Sequence, residues 1–385
     1  MLSMTRITGT TIISTTLGES VKAFVPLPLP PIDPALDHGV FSELNRQAEL
    51  ALARLAGVSG LVPSVDWLLY SAIRREALLT SQIEGTQATL TDLFNDEAGF
   101  SVSNVDDVEE VTNYVRAFRW VQEQLRSPKG LPISIRMLRE AHRLLLNGVR
   151  GAGKQPGQLR QSQNWIGGTR PGNAVFVPPP PEQVPELLAK VERFIHDSRP
   201  NLPHLVRIAL IHAQFETIHP FLDGNGRIGR LLIAALFEHW GLLAEPLMYL
   251  SGYLKKHQSE YYRRLSSIRT DGDWEAWVAF FLEGVAIAAA DAEKNIIAVA
   301  SLVAADRRKL LQSTKASPAS YRLFEMLPMM PRLTIERVRQ QLDTSFPTAT
   351  VAVQILENLD IVTEVTGHKK NRIYSYQAYI DLLSQ

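Results

Sequence analysis

The sequence predicts a mainly α-helical protein: a helical bundle carrying one β-hairpin, followed by a C-terminal module of three short helices and a second hairpin. Three observations lead there. Apolar residues recur with helical period over most of the chain. The interval Gly148–Pro181 interrupts that period with Gly, Pro and two short β-prone runs. From Ala319 onward the helical stretches shorten, and a basic hairpin follows them.

Residues 1–25 are rich in Thr and β-branched side chains, and VPLPLPPIDP (Val25–Pro34) is an extended lead-in, because proline lacks the N–H that a helix interior needs. Helical pattern covers Phe41–Leu55 and Ser64–Gln82, the latter with Trp67, Leu68, Ala72, Ala77 and Leu78 as its apolar stripe. Asp107–Leu125, Ser134–Leu146 and Pro185–His196 repeat it. Within NWIGGTRPGNAVFVPPPP, strands at Asn164–Gly167 and Ala174–Val177 flank the turn Gly168–Asn173, and prolines end the hairpin. Helices then cover Leu202–Ile218, Arg227–His239 and Ser259–Arg269. A further run goes from Trp274 to about Leu311, long enough to allow a break, and Asp271-Gly-Asp273 supplies its turn and N-cap. Ala319–Leu327, Thr334–Leu342 and Thr348–Leu359 are short helices, and Ile361–Val365 and Arg372–Tyr376 are strands joined across Thr366–Asn371. Three helices and a hairpin in that order describe a winged helix-turn-helix. Its wing offers His368, Lys369, Lys370 and Arg372, yet TATVAVQILENL, the helix that would enter a DNA groove, has no Lys or Arg. DNA contact and protein docking or dimerisation therefore stand as alternatives for this module.

The bulk numbers narrow the function. Lys+Arg and Asp+Glu both number 40 in 385 residues, so the whole chain has no bias toward nucleic acid or membrane. There is no Cys, which excludes disulfides, zinc ribbons and thiol nucleophiles. Neither a signal peptide nor a membrane span is expected, and the default is a soluble cytoplasmic protein.

The chemistry concentrates in HPFLDGNGRIGR, His219–Arg230. Its glycines spell G-x-G-x-x-G, but a dinucleotide fingerprint needs a buried strand before the first Gly. Here HLVRIALIHAQFETI precedes it with helical period, so that reading is rejected; a Walker A motif is also absent. The loop still suits phosphate. Gly224 and Gly226 let backbone N–H groups turn inward as an anion nest at the start of a helix. Arg227 and Arg230 are three apart on one side of that helix, Asp223 offers a hard oxygen for Mg²⁺, and His219 can take a proton near neutral pH. Base, metal carboxylate, nest and Arg pair together point to phosphoryl or nucleotidyl transfer. His212 and the motif-free His142, His196, His204 and His239 are read as structural, as are Trp165, Trp274 and Trp277 as packing residues.

These residues resemble the Fic signature H-P-F-x-D-G-N-G-R-x-x-R, with GQLRQSQNWIGG, YLSGYLKKHQSEYYRRL and GDWEAWVAFFLEGV resembling the family's flap and post-core segments over roughly residues 40–310. The resemblance implies a Fic-type helical bundle whose flap, residues 164–177, docks a target protein as an added strand, and a homodimer. It implies that His219 deprotonates a Tyr, Thr or Ser hydroxyl for attack on the α-phosphate of ATP, with Asp223 on Mg²⁺. The nucleotide would lie along Gly224, Asn225, Gly226, Arg227, Ile228, Gly229 and Arg230, with Tyr262 near the adenine. TSQIEG (Thr80–Gly85) resembles the family's inhibitory pattern, in which the carboxylate, here Glu84, pairs with Arg230, and Thr80 and Gly85 complete the match. In some relatives that glutamate instead serves AMP removal. The expected organisation is residues 1–110 for the N-terminal helices with the inhibitory segment, 111–312 for the catalytic core and 313–385 for the winged module. The competing reading is a DNA-binding regulator whose Fic-like core only senses nucleotide.

Overall fold

The computed structural model describes residues 6–61, 64–149, 151–199 and 201–384. Residues 1–5 of the Thr-rich lead-in and Arg150 of the Gly/Pro-rich interval lie outside the described residues. The lead-in forms an antiparallel hairpin of β1 (Gly9–Thr16) and β2 (Glu19–Pro26), turning at Leu17 and Gly18. The bundle follows as α1 (His38–Val58), α2 (Val65–Ile83), α3 (Leu90–Glu97), α4 (Val105–Arg126) and α5 (Ile135–Leu145). Beyond the flap come α6 (Val184–His196), α7 (His204–Ile218), α8 (Asn225–His239), α9 (Leu250–Lys256), α10 (Gln258–Asp271) and α11 (Trp274–Gln312).

Several boundaries are set by side-chain caps, as expected where Ser, Thr or Asp precedes a periodic run. Ser64 accepts from Asp66 N–H, Ser134 from Met137 N–H, and Asp273 from Ala276 N–H. Helix α7 is buried on every side from Leu205 to Ile218, which makes it the central helix of the bundle. Around it pack α6, α8, α10 and α11, and Trp277 Nε1 donates to the Ala209 carbonyl at 2.8 Å. Helix α11 runs unbroken for 39 residues, so no break divides it, and α1 lies along it.

The flap is shorter than two full strands. Its ladder is one bridge, Ile166 to Phe176, and a 3₁₀ turn at Pro171–Asn173 fills its tip. Asn173 Oδ1 accepts from Thr169 and Arg170 N–H, so the loop residues bond to one another instead of extending the ladder.

The C-terminal module holds α12 (Pro318–Met326), β3 (Arg332–Leu333), α13 (Ile335–Leu342), α14 (Phe346–Asn358), β4 (Thr363–Glu364), β5 (Tyr374–Ser375) and α15 (Gln377–Ser384). Three helices and a hairpin occur in the expected order. Strand β3 and helix α15 are additions, and the sheet order is β3-β5-β4. One apolar cluster joins this module to the bundle, from Leu36 to Leu383. No helix among the described residues is long and apolar enough to cross a membrane.

Candidate active site

The site is the loop from α7 to α8. His219 caps α7 in the left-handed region (φ 49°), and its N–H still donates to the Phe215 carbonyl at 2.9 Å. That turn throws the imidazole off the helix axis. The ring's Nδ1 is buried without a hydrogen-bond partner among the described residues. Burial, reinforced by the charges of Arg269 and Arg160, pushes the His219 pKa down to about 3, so the ring is neutral at pH 7. A neutral imidazole has the lone pair a general base needs.

The loop is braced from within. Asn225 Oδ1 accepts from Phe221 N–H and Asn225 Nδ2 donates to the Phe221 carbonyl, each at 2.8 Å. Both polar ends of Asn225 are thus engaged in holding the turn. Gly224 (φ 75°) precedes α8, where a left-handed backbone favours glycine. Asp223 Oδ1 accepts from Gly224 N–H at 2.6 Å and lies 3.8 Å from Arg227 Nη2. Its carboxylate is part-exposed, and no group of three or more His, Cys, Asp or Glu side chains is gathered for a metal among the described residues. One accessible carboxylate beside the first N–H groups of a helix fits Mg²⁺, which takes most of its ligands from phosphates and water. Asp223 is the residue that would hold it, and the ion would supply neutralising charge to phosphate oxygens.

The two arginines differ in company. Arg227 is buried, with Nη1 3.2 Å from Glu110 Oε2. Arg230 is 2% exposed and threefold bound: its Nε donates to Thr80 Oγ1 at 2.5 Å, and its Nη2 donates to the Thr80 carbonyl at 3.1 Å and to Glu84 Oε1. Burial alone would raise the Glu84 pKa, but the Arg230 charge and hydrogen bond outweigh it and hold the carboxyl below its usual range. Gly226 makes room for this pair, since a Cβ there would sit 2.4 Å from Glu84 Oε1. Gly85 follows at φ 101° and turns the chain away once α2 has ended. Thr80, Glu84, Gly226 and Arg230 are therefore brought together from two helices distant in sequence. Ile228 and Gly229 face the other way: Ile228 is in the core, and a Cβ on Gly229 would meet Glu216 Oε1 at 2.4 Å, so Gly229 permits the close approach of α7 and α8. Tyr262 is 47% exposed, packs against the Tyr261 ring at 5.1 Å, and feels the charge of Glu84.

Four residues join the site that the motif does not announce. His142 on α5 accepts from Gly157 N–H through Nδ1 (2.8 Å), so its Nε2–H donates to the Asp223 carbonyl (2.9 Å). Its ring stacks on Phe221 at 3.9 Å, and burial lowers its pKa to about 4. Arg160 Nε donates to the His219 carbonyl at 2.9 Å and fixes the turn from the flap side. Arg269 lies 3.9 Å above the Phe176 ring of the flap. Glu216, one helical turn before His219, is buried with Oε1 unpartnered among the described residues, and burial pushes its carboxyl up to about 7. None is marked by its neighbours in sequence, because His142, Arg160 and Arg269 act through partners far away in the chain and Glu216 is set apart by burial alone. His212, expected to be structural, bridges α7 to α8 and α10: Nδ1–H donates to the Gly229 carbonyl (3.2 Å) and Nε2 accepts from Tyr261 (2.8 Å). The second flap run is also partly engaged, as the Val177 carbonyl accepts from Phe24 N–H of β2 at 2.9 Å.

Comparison with known proteins agrees with this arrangement. Residues 42–123 match the family described as Fic/DOC family N-terminal, and residues 132–237 match the Fic/DOC family itself. The protein adenylyltransferase Fic of Drosophila ananassae is 28% identical over 208 residues, 53% of this chain and 38% of that protein. That of Culex quinquefasciatus is 28% identical over 181 residues, 47% of this chain and 33% of its own length. The chain thus spans well under half of the curated relatives it matches. A Fic family protein from Desulfovibrio desulfuricans G20 superposes with TM-score 0.57 at 20% identity, over 89% of this chain and 97% of that one. Fic-1 from C. elegans does so with TM-score 0.50 at 22% identity, over 67% and 73% of the two chains. Residues 42–123 and 132–237 are thus similar to two Fic/DOC family regions, the second of which contains the braced loop, and the fold is shared over most of the length with a solved Fic family protein.

Proposed function

We propose that the chain is a protein adenylyltransferase that moves AMP from ATP to a hydroxyl of a target protein, and that Glu84 holds it in an inhibited state. The observation that carries the reading is the neutral His219 beside a glycine loop at the head of a helix bearing Arg227 and Arg230. His219 accepts the proton of a target Tyr, Thr or Ser. The freed oxygen forms a bond to the α-phosphorus as the bond to the bridging oxygen breaks, and pyrophosphate leaves. Backbone N–H groups at Asn225–Arg227 and the start of the α8 dipole stabilise the charge that gathers on the phosphate, the Gly224 N–H being already given to Asp223 Oδ1. Arg227 and Arg230 hold the outer phosphates. Residues 164–177 receive the target, a role supported by the 79% exposure of Val175 at the flap.

Inhibition is supported by the Arg230 contacts. The guanidinium that should meet the γ-phosphate is already satisfied by Glu84 and Thr80. ATP then binds with its phosphates displaced, and a misplacement of about 1 Å can cost about a hundredfold in rate. The test incubates wild type, Glu84→Gly and Glu84→Gly/His219→Ala with α-labelled and γ-labelled ATP and Mg²⁺ in lysate. Label from the α position alone, strongest in Glu84→Gly and absent in the double variant, is the expected result. Label from the γ position would overturn the assignment of AMP transfer.

A further inference from the structure

A cleft of about 750 Å³ opens against α2 on the side away from the Arg230 contacts. At about 100° per residue, Leu78, Leu79 and Gln82 project from the helix face opposite Thr80 and Glu84. Leu78, Leu79 and Gln82 line the cleft, whose other walls are α9, α11 and the end of α15. A volume of roughly 300–1,000 Å³ is that of an ordinary small-molecule site.

Its charge is one-sided. Arg75, Lys255, Lys256 and Lys294 line it, against a single lining carboxylate, Asp291. None of the four cations forms an ion pair among the described residues, whereas many surface arginines here do, as at Arg263–Glu260 and Arg339–Glu336. In a chain with 40 basic and 40 acidic residues, such a cluster departs from the overall balance. Arg75 is also aimed: it lies 4.2 Å over the Tyr249 ring and its Nη1 donates to the Tyr249 hydroxyl at 3.0 Å. That leaves its other guanidinium N–H groups for something else. Beside the charges, Leu79 and the 42% exposed Ile287 supply an apolar wall.

We propose that this cleft is a second ligand site, for a small organic phosphate: an apolar or aromatic body against Leu79 and Ile287, with its phosphate on Arg75 and the neighbouring lysines. The site touches the helix that carries Glu84. Lys255 Nζ donates to Gln82 Oε1 at 2.6 Å, and Gln258 Nε2 donates to the Ile83 carbonyl at 3.0 Å, so both residues tie down the last turn of α2. A phosphate that draws Lys255 away competes with the first tie. This regulatory reach rests on the reading of Glu84 as an inhibitor; the existence of the site does not.

Pyridoxal 5′-phosphate is a suitable probe, having an aromatic ring, a phosphate and an aldehyde. The aldehyde condenses with a lysine amine, water leaves, and borohydride delivers hydride to the imine carbon to fix a secondary amine. The His219–Arg230 loop contains no lysine, so mapped adducts report other surfaces. Peptide mass mapping should find Lys255, Lys256 or Lys294 modified about tenfold faster than the exposed Lys22, Lys129 and Lys369, with inorganic pyrophosphate suppressing the difference. Arg75→Ala should abolish the preference, and Lys256→Glu, at an exposed position, should weaken it at Lys255 and Lys294 without affecting folding. Glu84→Gly should leave the pattern unchanged, which separates the cleft from the inhibitory contact. Modification that follows solvent exposure alone, or that ignores Arg75→Ala and Lys256→Glu in folded protein, overturns the proposal.

Discussion

Replacing Glu84 by Gly removes one partner of the Arg230 ion pair, and the structure sets the size of the effect. Arg230 is 2% exposed at its side chain and Glu84 33%. Breaking a fully buried pair typically costs about 3–5 kcal/mol. Solvent reaches the carboxylate here, so a discounted figure of about 2–3 kcal/mol is appropriate. At about 1.4 kcal/mol per factor of ten, the paired Glu84–Arg230 arrangement loses a preference of about 30–150-fold. AMP transfer from α-labelled ATP should rise by that factor in Glu84→Gly. Glu84→Gln keeps the shape and one acceptor oxygen but loses the charge, and should fall between the two. The measurement pairs labelling rate with ATP affinity by calorimetry. If Glu84→Gly binds ATP as tightly as wild type and labels no faster, the Arg230 contact does not restrain catalysis.

Other expectations concern pH, the loop and the C-terminal module. The depressed Glu84 pKa stabilises the folded form with Glu84 on Arg230 above the ordinary value of 4.5, and that contribution is lost as pH falls through the lowered value; the melting-temperature gap between wild type and Glu84→Gln should accordingly close in acid. His219, held down to about 3, stays neutral through the usual histidine range, so kcat/KM of Glu84→Gly should show no half-fall near pH 6.5, and a limb there would contradict the assigned environment. His142→Ala removes two hydrogen bonds and the stack on Phe221, which should cost about 3 kcal/mol in denaturant unfolding and most of the labelling; unchanged labelling would mean the Asp223 turn holds itself. Duplex DNA of random sequence should show no salt-dependent shift, because the exposed residues of α14, Phe346, Pro347, Thr348, Val351, Gln354 and Asn358, carry no cation; a steep salt slope would restore the DNA-binding reading.

Much of this architecture is legible in the sequence because it is local. The periods that mark α2, α4, α7 and α11 can be read within a window, and HPFLDGNGR is a loop whose glycines and charges explain themselves. The features that escape such a reading are either short or distant. Helix α3 has only eight residues; its signal is the capping box of Thr89 and Asp92, visible in the letters but easily passed over. The β1–β2 hairpin reads only as Thr-rich because Leu17-Gly18 is a weak turn signature. The flap's prolines and glycines mark a turn, but they do not show that Asn173 closes the loop on itself. His142 and Arg160 act on carbonyls at positions 223 and 219, and such pairings are set by how helices pack rather than by neighbouring letters.

The length of α11 bears on how the chain can be divided. Its distal half carries Val303, Asp306 and Leu310, all buried, and Asp306 accepts a hydrogen bond from Tyr376 at 2.8 Å. Arg337 in turn donates to the Glu97 carbonyl at the end of α3. A chain cut after Gln312, where composition alone suggests a seam, would present apolar side chains to water and leave the Asp306 carboxylate with Lys309 as its remaining partner. Such a fragment should aggregate on expression. A graft joined at the same point would inherit an exposed seam unless it copied that face, so recombination between relatives is best tolerated when the long helix and the C-terminal module travel as one piece.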